Sequence, residues 1–373
     1  MKVLIVVTHL LGTGHLSRAL TLGRAFARAG HAVTLASGGM PAPHLDATGV
    51  DLVQLPPLRS DGVDFTRLLT AEGALAGSGV YQARTAALTA CLGMAPDVVI
   101  TELFPFGRRN LRDEFLTFLD TAQRLAQPPR LFCSIRDILA PPSKEAKVTF
   151  ADDVISRFYS GVLVHSDPAR TDLSQSWPVS NLLAAKLRYT GYVAPPAAGP
   201  HATRAGEHEI LVSAGGGPVG DGLFQVALTA ATRTPDQSWR LLIGGGSARL
   251  DSLRAQASPN VVLEPPRPDF RHMLFHAAAS VSMCGYNTAL DVLQAGTPAV
   301  FVPFDAGNEV EQSLRADSLS ALPAITSVAS KDLTADSLLD ALGRVRSDGR
   351  RSGSDLADNG AAETVRICEG DGA

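Results

Sequence analysis

The chain has 373 residues, more than one ordinary α/β core accommodates, so it reads as two domains of roughly 150–200 residues each. A net charge of −4, with only 5 lysines among 33 basic residues, excludes an electrostatic case for nucleic-acid binding. Hydrophobic residues at 45% against 19% charged exclude a disordered chain, and no run of about 18 apolar residues offers a membrane-spanning helix.

Short apolar runs bounded by turn residues predict a first set of strands at Val3–Val7, Ala32–Ala36, Leu52–Leu55, Val98–Thr101, Leu131–Ser134 and Gly161–His165. Helical patterns lie between several of them. The clearest is His15–Ala29, where Leu16, Ala19, Leu20, Leu22, Gly23 and Phe26 keep a helix period and Gly30 ends it. Residues 193–206, VAPPAAGPHATRAG, have no periodicity and read as a linker. A second α/β series follows at Ile210–Ser213, Leu241–Ile243, Val261–Leu263, Ala279–Met283 and Ala299–Val302. Strand and helix in alternation predict two Rossmann-like α/β domains with parallel sheets. The expected division is 1–195, a linker at 196–206, 207–345, and a tail at 346–373 whose weak helix returns to the first domain.

The four cysteines, Cys91, Cys133, Cys284 and Cys368, are far apart and show no metal-ligand spacing, so no metal is expected. The first strand begins at once, without a charged-then-apolar leader. A reduced, cytoplasmic protein is the expectation, and a peripheral membrane contact is compatible with it.

Three glycine-rich loops follow predicted strands. The first, HLLGTGHLSRAL from His9, leaves N–H groups free at a helix N-terminus, where negative charge is favoured. It fails the dinucleotide fingerprint, because Ser17 stands at the third glycine and the second strand ends ASGG without an acid. It also lacks a P-loop lysine. What it does present is His15, at the sheet edge where open α/β folds bind ligands, with an ordinary pKa suited to a general base. The second loop, SAGGGPVGDGLF from Ser213, lets a diphosphate approach Gly215, Gly216 and Gly217. The third, around Gly244, either lines the same cleft or is a plain turn.

The densest stretch is SMCGYNTALDVLQAGTPAVFVPF, Ser282 to Phe304. Gly285 makes the turn, Asn287 or Thr288 is expected to cap the next helix, Asp291 lies in its first turns, and Gly296 ends it. The loop DAGNEVEQ then sets Glu311 and Gln312 beyond the strand end at Phe304, where an acid and an amide suit sugar hydroxyls.

Taken in order, LLGTGHLSRAL, ASGGMP, LPPLRSDGVDF, TELFPFGRR, CSIRDIL and the 282–304 stretch resemble a group of bacterial glycosyltransferases related to family 28, the MurG-like enzymes. The resemblance spans Val3 to about Arg315. It implies a GT-B fold, with two Rossmann-like domains facing across a cleft, the acceptor in the first and a nucleotide sugar in the second. It implies a UDP-linked donor, inversion at the anomeric carbon, and no cofactor or catalytic metal. Gly12, Thr13, Gly14 and His15 match the loop that reaches the donor diphosphate and the acceptor. Gly215, Gly216, Gly217 and Gly244, with the helix start at Gly285, Tyr286, Asn287 and Thr288, are expected to bind the donor. Asp291 matches the ribose-holding acid, usually glutamate. Glu311–Gln312 match a pair usually written as two glutamines, here one residue further from Phe304.

The implied mechanism is direct attack by an acceptor group aided by a base. His15 is the expected base. Glu102 either orients it, is itself the base, or is a capping or surface carboxylate. Arg108 and Arg109 either contact an anionic acceptor or form a solvated pair, and Arg136–Asp137 carry the same ambiguity. No basic amphipathic run marks a membrane-docking face, which favours a soluble or loosely associated acceptor. The rival readings are a nucleotide-sugar hydrolase like that of pseudaminic acid synthesis, whose G-x-G-H-x-x-R pattern fits Gly12, Gly14, His15 and Arg18, and a non-catalytic nucleotide-sugar-binding subunit. Nucleotide-sugar 2-epimerases, which need several catalytic carboxylates in both domains, rank below the hydrolase. The insert-like segment Ser60–Tyr81 favours an acceptor site and hence a transferase.

Overall fold

A computed structural model describes residues 1–60, 67–215, 219–305, 309–352 and 359–370. The chain divides into two units, Met1–Ala194 with the C-terminal helix, and a second that begins at Pro195.

The first unit runs β1 (Lys2–Val7), α1 (Gly14–Arg28), β2 (Ala32–Ser37), β3 (Asp51–Gln54), β4 (Arg59–Ser60), β5 (Leu68–Leu69), α2 (Ser78–Ala90), β6 (Val98–Glu102), α3 (Arg112–Gln123), β7 (Arg130–Arg136), α4 (Glu145–Phe158), β8 (Gly161–His165), α5 (Asn181–Lys186) and β9 (Leu187–Tyr189). Seven strands form one parallel sheet in the order β3-β2-β1-β6-β7-β8-β9. Both faces are covered, which is why β1 is a continuous apolar run, Val3–Val7, rather than an alternating one. Leu4 and Val6 face a core built with α2, α3 and α4, whereas Val3, Ile5 and Val7 face α1. Each such fully buried aliphatic side chain contributes about 1.5–3 kcal/mol.

The second unit runs β10 (Ile210–Ser213), α6 (Asp221–Thr232), β11 (Trp239–Leu242), α7 (Ser247–Arg254), β12 (Val261–Glu264), α8 (Phe270–Leu274), β13 (Ala279–Ser282), α9 (Tyr286–Ala295), β14 (Ala299–Phe301), α10 (Glu311–Leu319), β15 (Ile325–Ser327) and α11 (Ala335–Ser347). Its six parallel strands are ordered β12-β11-β10-β13-β14-β15. The final helix, α12 (Gly360–Glu369), packs on α1 of the first unit, where His31 pairs with Glu369 at 2.9 Å and Arg130 donates to the Cys368 carbonyl.

The segment read as a linker belongs to the second unit, which begins at Pro195, and His201 Nε2 meets Asp269 Oδ2 at 2.8 Å. The short edge strands β9 and β15 and the β4–β5 ribbon escaped the sequence reading, because two or three residues carry no period. The ribbon flanks the first glycine loop, with the Ser60 amide donating to the Leu10 carbonyl at 2.8 Å. Part of the Ser60–Tyr81 insert, residues 61–66, lies outside the described residues.

In each sheet the strand order reverses beside the first strand, between β1 and β6 and again between β10 and β13. Open parallel sheets bind ligands at the carboxyl ends of such strands. The loops after β1 and β6, and those after β10 and β13, are therefore where chemistry is to be sought.

Candidate active site

In the first unit, β1 delivers Thr8 and His9 to this edge, and the loop through Gly12 and Thr13 starts α1 at Gly14. His15 and Arg18 lie one helical turn apart and so share a face. Both reach the carboxylate at the end of β6. His15 Nδ1 is 2.9 Å from Glu102 Oε1, and Arg18 donates to the same oxygen. Glu102 is 1% exposed and Arg18 3%, so this is a buried pair, costly unless fully engaged. Glu102 is thus neither a cap nor a surface acid.

Burial pushes the Glu102 carboxyl up, but His15 and Arg18 outweigh it and hold the group well below its ordinary value. Burial also pulls the His15 pKa down to about 4, against the opposing pull of Glu102. At neutral pH the imidazole is therefore neutral and the carboxylate ionised. The ring proton sits on Nδ1, donated to Glu102, and the lone pair is on Nε2. Nε2 has no partner among the described residues, and the side chain stays 15% exposed. An oriented neutral imidazole with one free nitrogen is what general-base chemistry requires.

Arg108 and Arg109 follow β6 in a loop bound back onto the sheet edge. Arg108 Nε donates to the Thr8 carbonyl at 2.5 Å, and Arg109 Nη1 to the Phe106 carbonyl at 2.5 Å. The fully solvated pair is excluded, and Arg108 and Arg136 are near enough to lower the His15 pKa further.

Two residues the sequence reading passed over support this edge. Arg84, on α2 and fully buried, binds Glu114 of α3 at 2.8 and 2.9 Å, the Gly38 carbonyl at 2.8 Å and Thr8 Oγ1 at 3.2 Å. A Cβ at Gly38 would lie 2.4 Å from Thr8 Oγ1, so the glycine directly after β2 serves this close approach. His165, at the end of β8, is fully buried between Ser134 Oγ and Thr190 Oγ1, each at 2.8 Å. Burial pulls its pKa down to about 3. A long-range arginine clamp or a histidine between hydroxyls leaves no local spacing to read.

The second unit gathers the other expected residues. Gly215 lies two residues past β10 with φ +81°, its amide donating to Ser213 Oγ at 3.2 Å, whereas Gly216 and Gly217 lie outside the described residues. The Gly244 carbonyl accepts from Arg249 at 2.8 Å. Asn287 and Thr288 do not cap α9. Gly285 occupies the N-cap, and both residues lie within the helix, because the chain turns in extended form at Gly285. The first turn of α9 thus has no side-chain cap, and Tyr286 of that turn is buried beneath the guanidinium of Arg315, 5.8 Å away.

Asp291 accepts from Arg271 Nε at 2.6 Å through Oδ1. The same arginine reaches the Pro195 and Pro196 carbonyls and Gln294 Oε1. Burial pushes the Asp291 carboxyl up to about 6, against the pull of Arg271. Glu311 and Gln312 are not in a loop but open α10, and Gln312 Oε1 accepts from the Phe304 amide at 3.2 Å. Between them lie residues 306–308, outside the described residues.

Residues 224–365 match the glycosyltransferase family 28 C-terminal domain. Over its full length the chain superposes on the calicheamicin glycosyltransferase CalG4, at 20% identity and a TM-score of 0.65, covering 100% of this chain and 99% of that one. The chain has the GT-B fold. MurG of Acinetobacter baumannii is similar at 15% identity and a TM-score of 0.63, with 99% of each chain covered. TcCGT1, solved in complex with UDP, gives 14% identity and a TM-score of 0.66, again over 99% of both chains. No curated protein sequence matches the chain. No helix among the described residues of this GT-B chain is long and apolar enough to cross a membrane.

Proposed function

We propose that this chain is an inverting glycosyltransferase that moves a sugar from a UDP-linked donor to an acceptor hydroxyl. The observation that carries the reading is the neutral, oriented His15 imidazole on the buried Glu102–Arg18 pair. The family 28 domain over residues 224–365 supports the donor side. Each unit supplies its own part, the first the base and the second the donor loops.

In this reading the acceptor O–H gives its proton to Nε2 of His15 as its oxygen bonds to the anomeric carbon. The bond from that carbon to the diphosphate oxygen breaks on the opposite face, and the electron pair leaves with the diphosphate. Glu102 keeps the imidazole oriented and stabilises the imidazolium that forms. Uncapped N–H groups at the start of α9 take up the leaving charge, so no metal is required. Asp291 holds the ribose, and Glu311 with Gln312 faces the donor sugar. Arg108 and Arg109 border the acceptor, which is free in solution or loosely held at a membrane. The four cysteines are all unpaired, in keeping with a cytoplasmic setting.

A panel of UDP- and dTDP-sugars, presented without acceptor, tests this. Binding with slow nucleotide release, unchanged by EDTA, is the expected result and names the donor for an acceptor search. Rapid release of free sugar, lost in His15→Ala, would make water the nucleophile and the protein a hydrolase. Failure to bind every donor would overturn the enzyme reading.

A further inference from the structure

Only 5 of the 33 basic residues are lysines, and two of them, Lys144 and Lys147, stand together at the start of α4. Strands β6 and β7 leave the first sheet side by side, Glu102 opposite Ser134, so the segments after them share one edge. The Phe150 ring of α4 ties those segments together. It meets the Phe104 ring edge-on at 6.2 Å, and its centre lies 5.8 Å from the Arg112 guanidinium. Lys147 stands three residues before Phe150, and Arg109 three before Arg112, so both cations come to this junction.

Like charges gather here without a counter-charge. Arg109 is half-buried, and burial lowers its pKa with no carboxylate opposing the shift. Burial, and then the charges of Arg109 and Lys144, hold the Lys147 ammonium below its ordinary value. No carboxylate among the described residues, Glu145 between the lysines included, pairs with Arg109, Lys144 or Lys147, and the nearby Asp113 faces Arg112 at 3.3 Å. Arg109 uses one of its five side-chain N–H donors, on the Phe106 carbonyl at 2.5 Å, and Lys147 one of its three, on Ser143 Oγ at 2.7 Å. Both lysines also stand where a helix dipole disfavours positive charge. Three cations that repel one another and keep open donors form a local conflict that a bound anion relieves, and such conflicts mark functional positions.

We propose that Arg109, Lys144 and Lys147 form an anion subsite that takes a phosphoryl group of the acceptor. A planar fork beside two ammonium groups suits the several oxygens and double charge of a phosphate better than a single carboxylate. The subsite lies on the edge that carries His15, whose imidazole feels the charges of Arg108 beyond β6 and Arg136 at the end of β7. The acceptor class rests on the glycosyltransferase reading above, and the subsite itself does not.

The test follows the 5 lysines of the full chain by NMR of isotope-labelled side chains, as inorganic phosphate is added against sodium chloride of equal ionic strength. The second unit contributes only Lys331, so phosphate at the donor loops is read separately. Saturable shifts of Lys144 and Lys147 are expected, with Lys2, Lys186 and Lys331 unmoved. Arg109→Ala should weaken phosphate there by about tenfold or more, and Arg109→Lys by less. Unchanged Lys2 and Lys186 signals in both variants report an intact first unit. Acetate should act more weakly than phosphate. Shifts no larger than those with chloride, or equal in Arg109→Ala and the wild type, would overturn the subsite. Acetate acting as strongly as phosphate would overturn the phosphoryl assignment. A chain that holds phosphate here but binds no nucleotide sugar would keep the subsite and overturn the glycosyltransferase reading, and with it the acceptor class.

Discussion

The Nδ1 of His15 stands 2.9 Å from Oε1 of Glu102, across a separation of 87 residues in the chain. Helix α1 carries one partner and strand β6 the other, so both ride on rigid elements rather than on loops. Arg18 fixes the carboxylate from the next turn of the same helix. In the proposed mechanism this makes His15 a pre-organised base, its orientation settled before substrate arrives.

His15→Ala is expected to lower donor turnover by about 10²–10⁴-fold, the usual weight of a positioned base. Glu102→Gln keeps the shape and removes the charge, leaving the ring less firmly held and Arg18 without its counter-charge. Its turnover should fall less, by about 10–10²-fold, for the loss of orientation alone. Both variants should bind the donor as the wild type does. Full turnover in His15→Ala, measured as nucleotide release, would remove the imidazole from the chemistry.

The sheets, the Gly30 stop of α1 and the glycine loops could be read from the sequence because each rests on local period or turn chemistry. The position of His15 at the sheet edge could be read because a glycine turn follows a predicted strand there. The role of Glu102 could not, since TELF after a strand is equally a cap, and only the fold brings Arg18 to it. The same limit applies to Gln312, whose side chain turns back to the Phe304 amide once α10 begins earlier than the loop reading allowed.

Buried neutral histidines make stability depend on pH. His15 and His165 have folded pKa values pulled down to about 4 and about 3, from 6.5 in the unfolded chain. Between pH 6.5 and 4 the unfolded chain therefore binds protons that the folded chain refuses, and stability falls as pH falls. Asp291, raised to about 6, acts in the opposite sense and offsets part of the loss. The melting temperature should drop between pH 7 and pH 5. His165→Gln should melt lower at pH 7 but show a shallower drop, and a slope equal to the wild type would contradict a neutral, buried His165.

Arg84 predicts a stability effect without a catalytic one of its own. Removing its side chain leaves Glu114, 4% exposed, as an unpaired buried charge and frees the Gly38 and Thr8 contacts. Breaking one partner of a buried pair costs about 3–5 kcal/mol. Arg84→Ala should show that loss in urea unfolding, while Arg84→Ala/Glu114→Ala should recover part of it. A double variant as unstable as the sum of both single ones would show that the two side chains act independently.

If Asp291 holds the ribose as proposed, donor binding depends on pH. One of its oxygens is taken by Arg271 and the other has no partner among the described residues, so it is open to a ribose hydroxyl. A hydroxyl donates to the ionised carboxylate and loses that acceptor when the acid is protonated. With a pKa of about 6, ionisation falls to about one tenth at pH 5, so uridine affinity should weaken by up to about tenfold between pH 7 and pH 5. Asp291→Asn should bind uridine weakly and without this pH dependence, while Arg271 keeps its bonds to the Pro195 and Pro196 carbonyls. A wild type whose uridine affinity is flat across that range would mean that the Arg271 pair, not a ribose, is what this carboxylate serves.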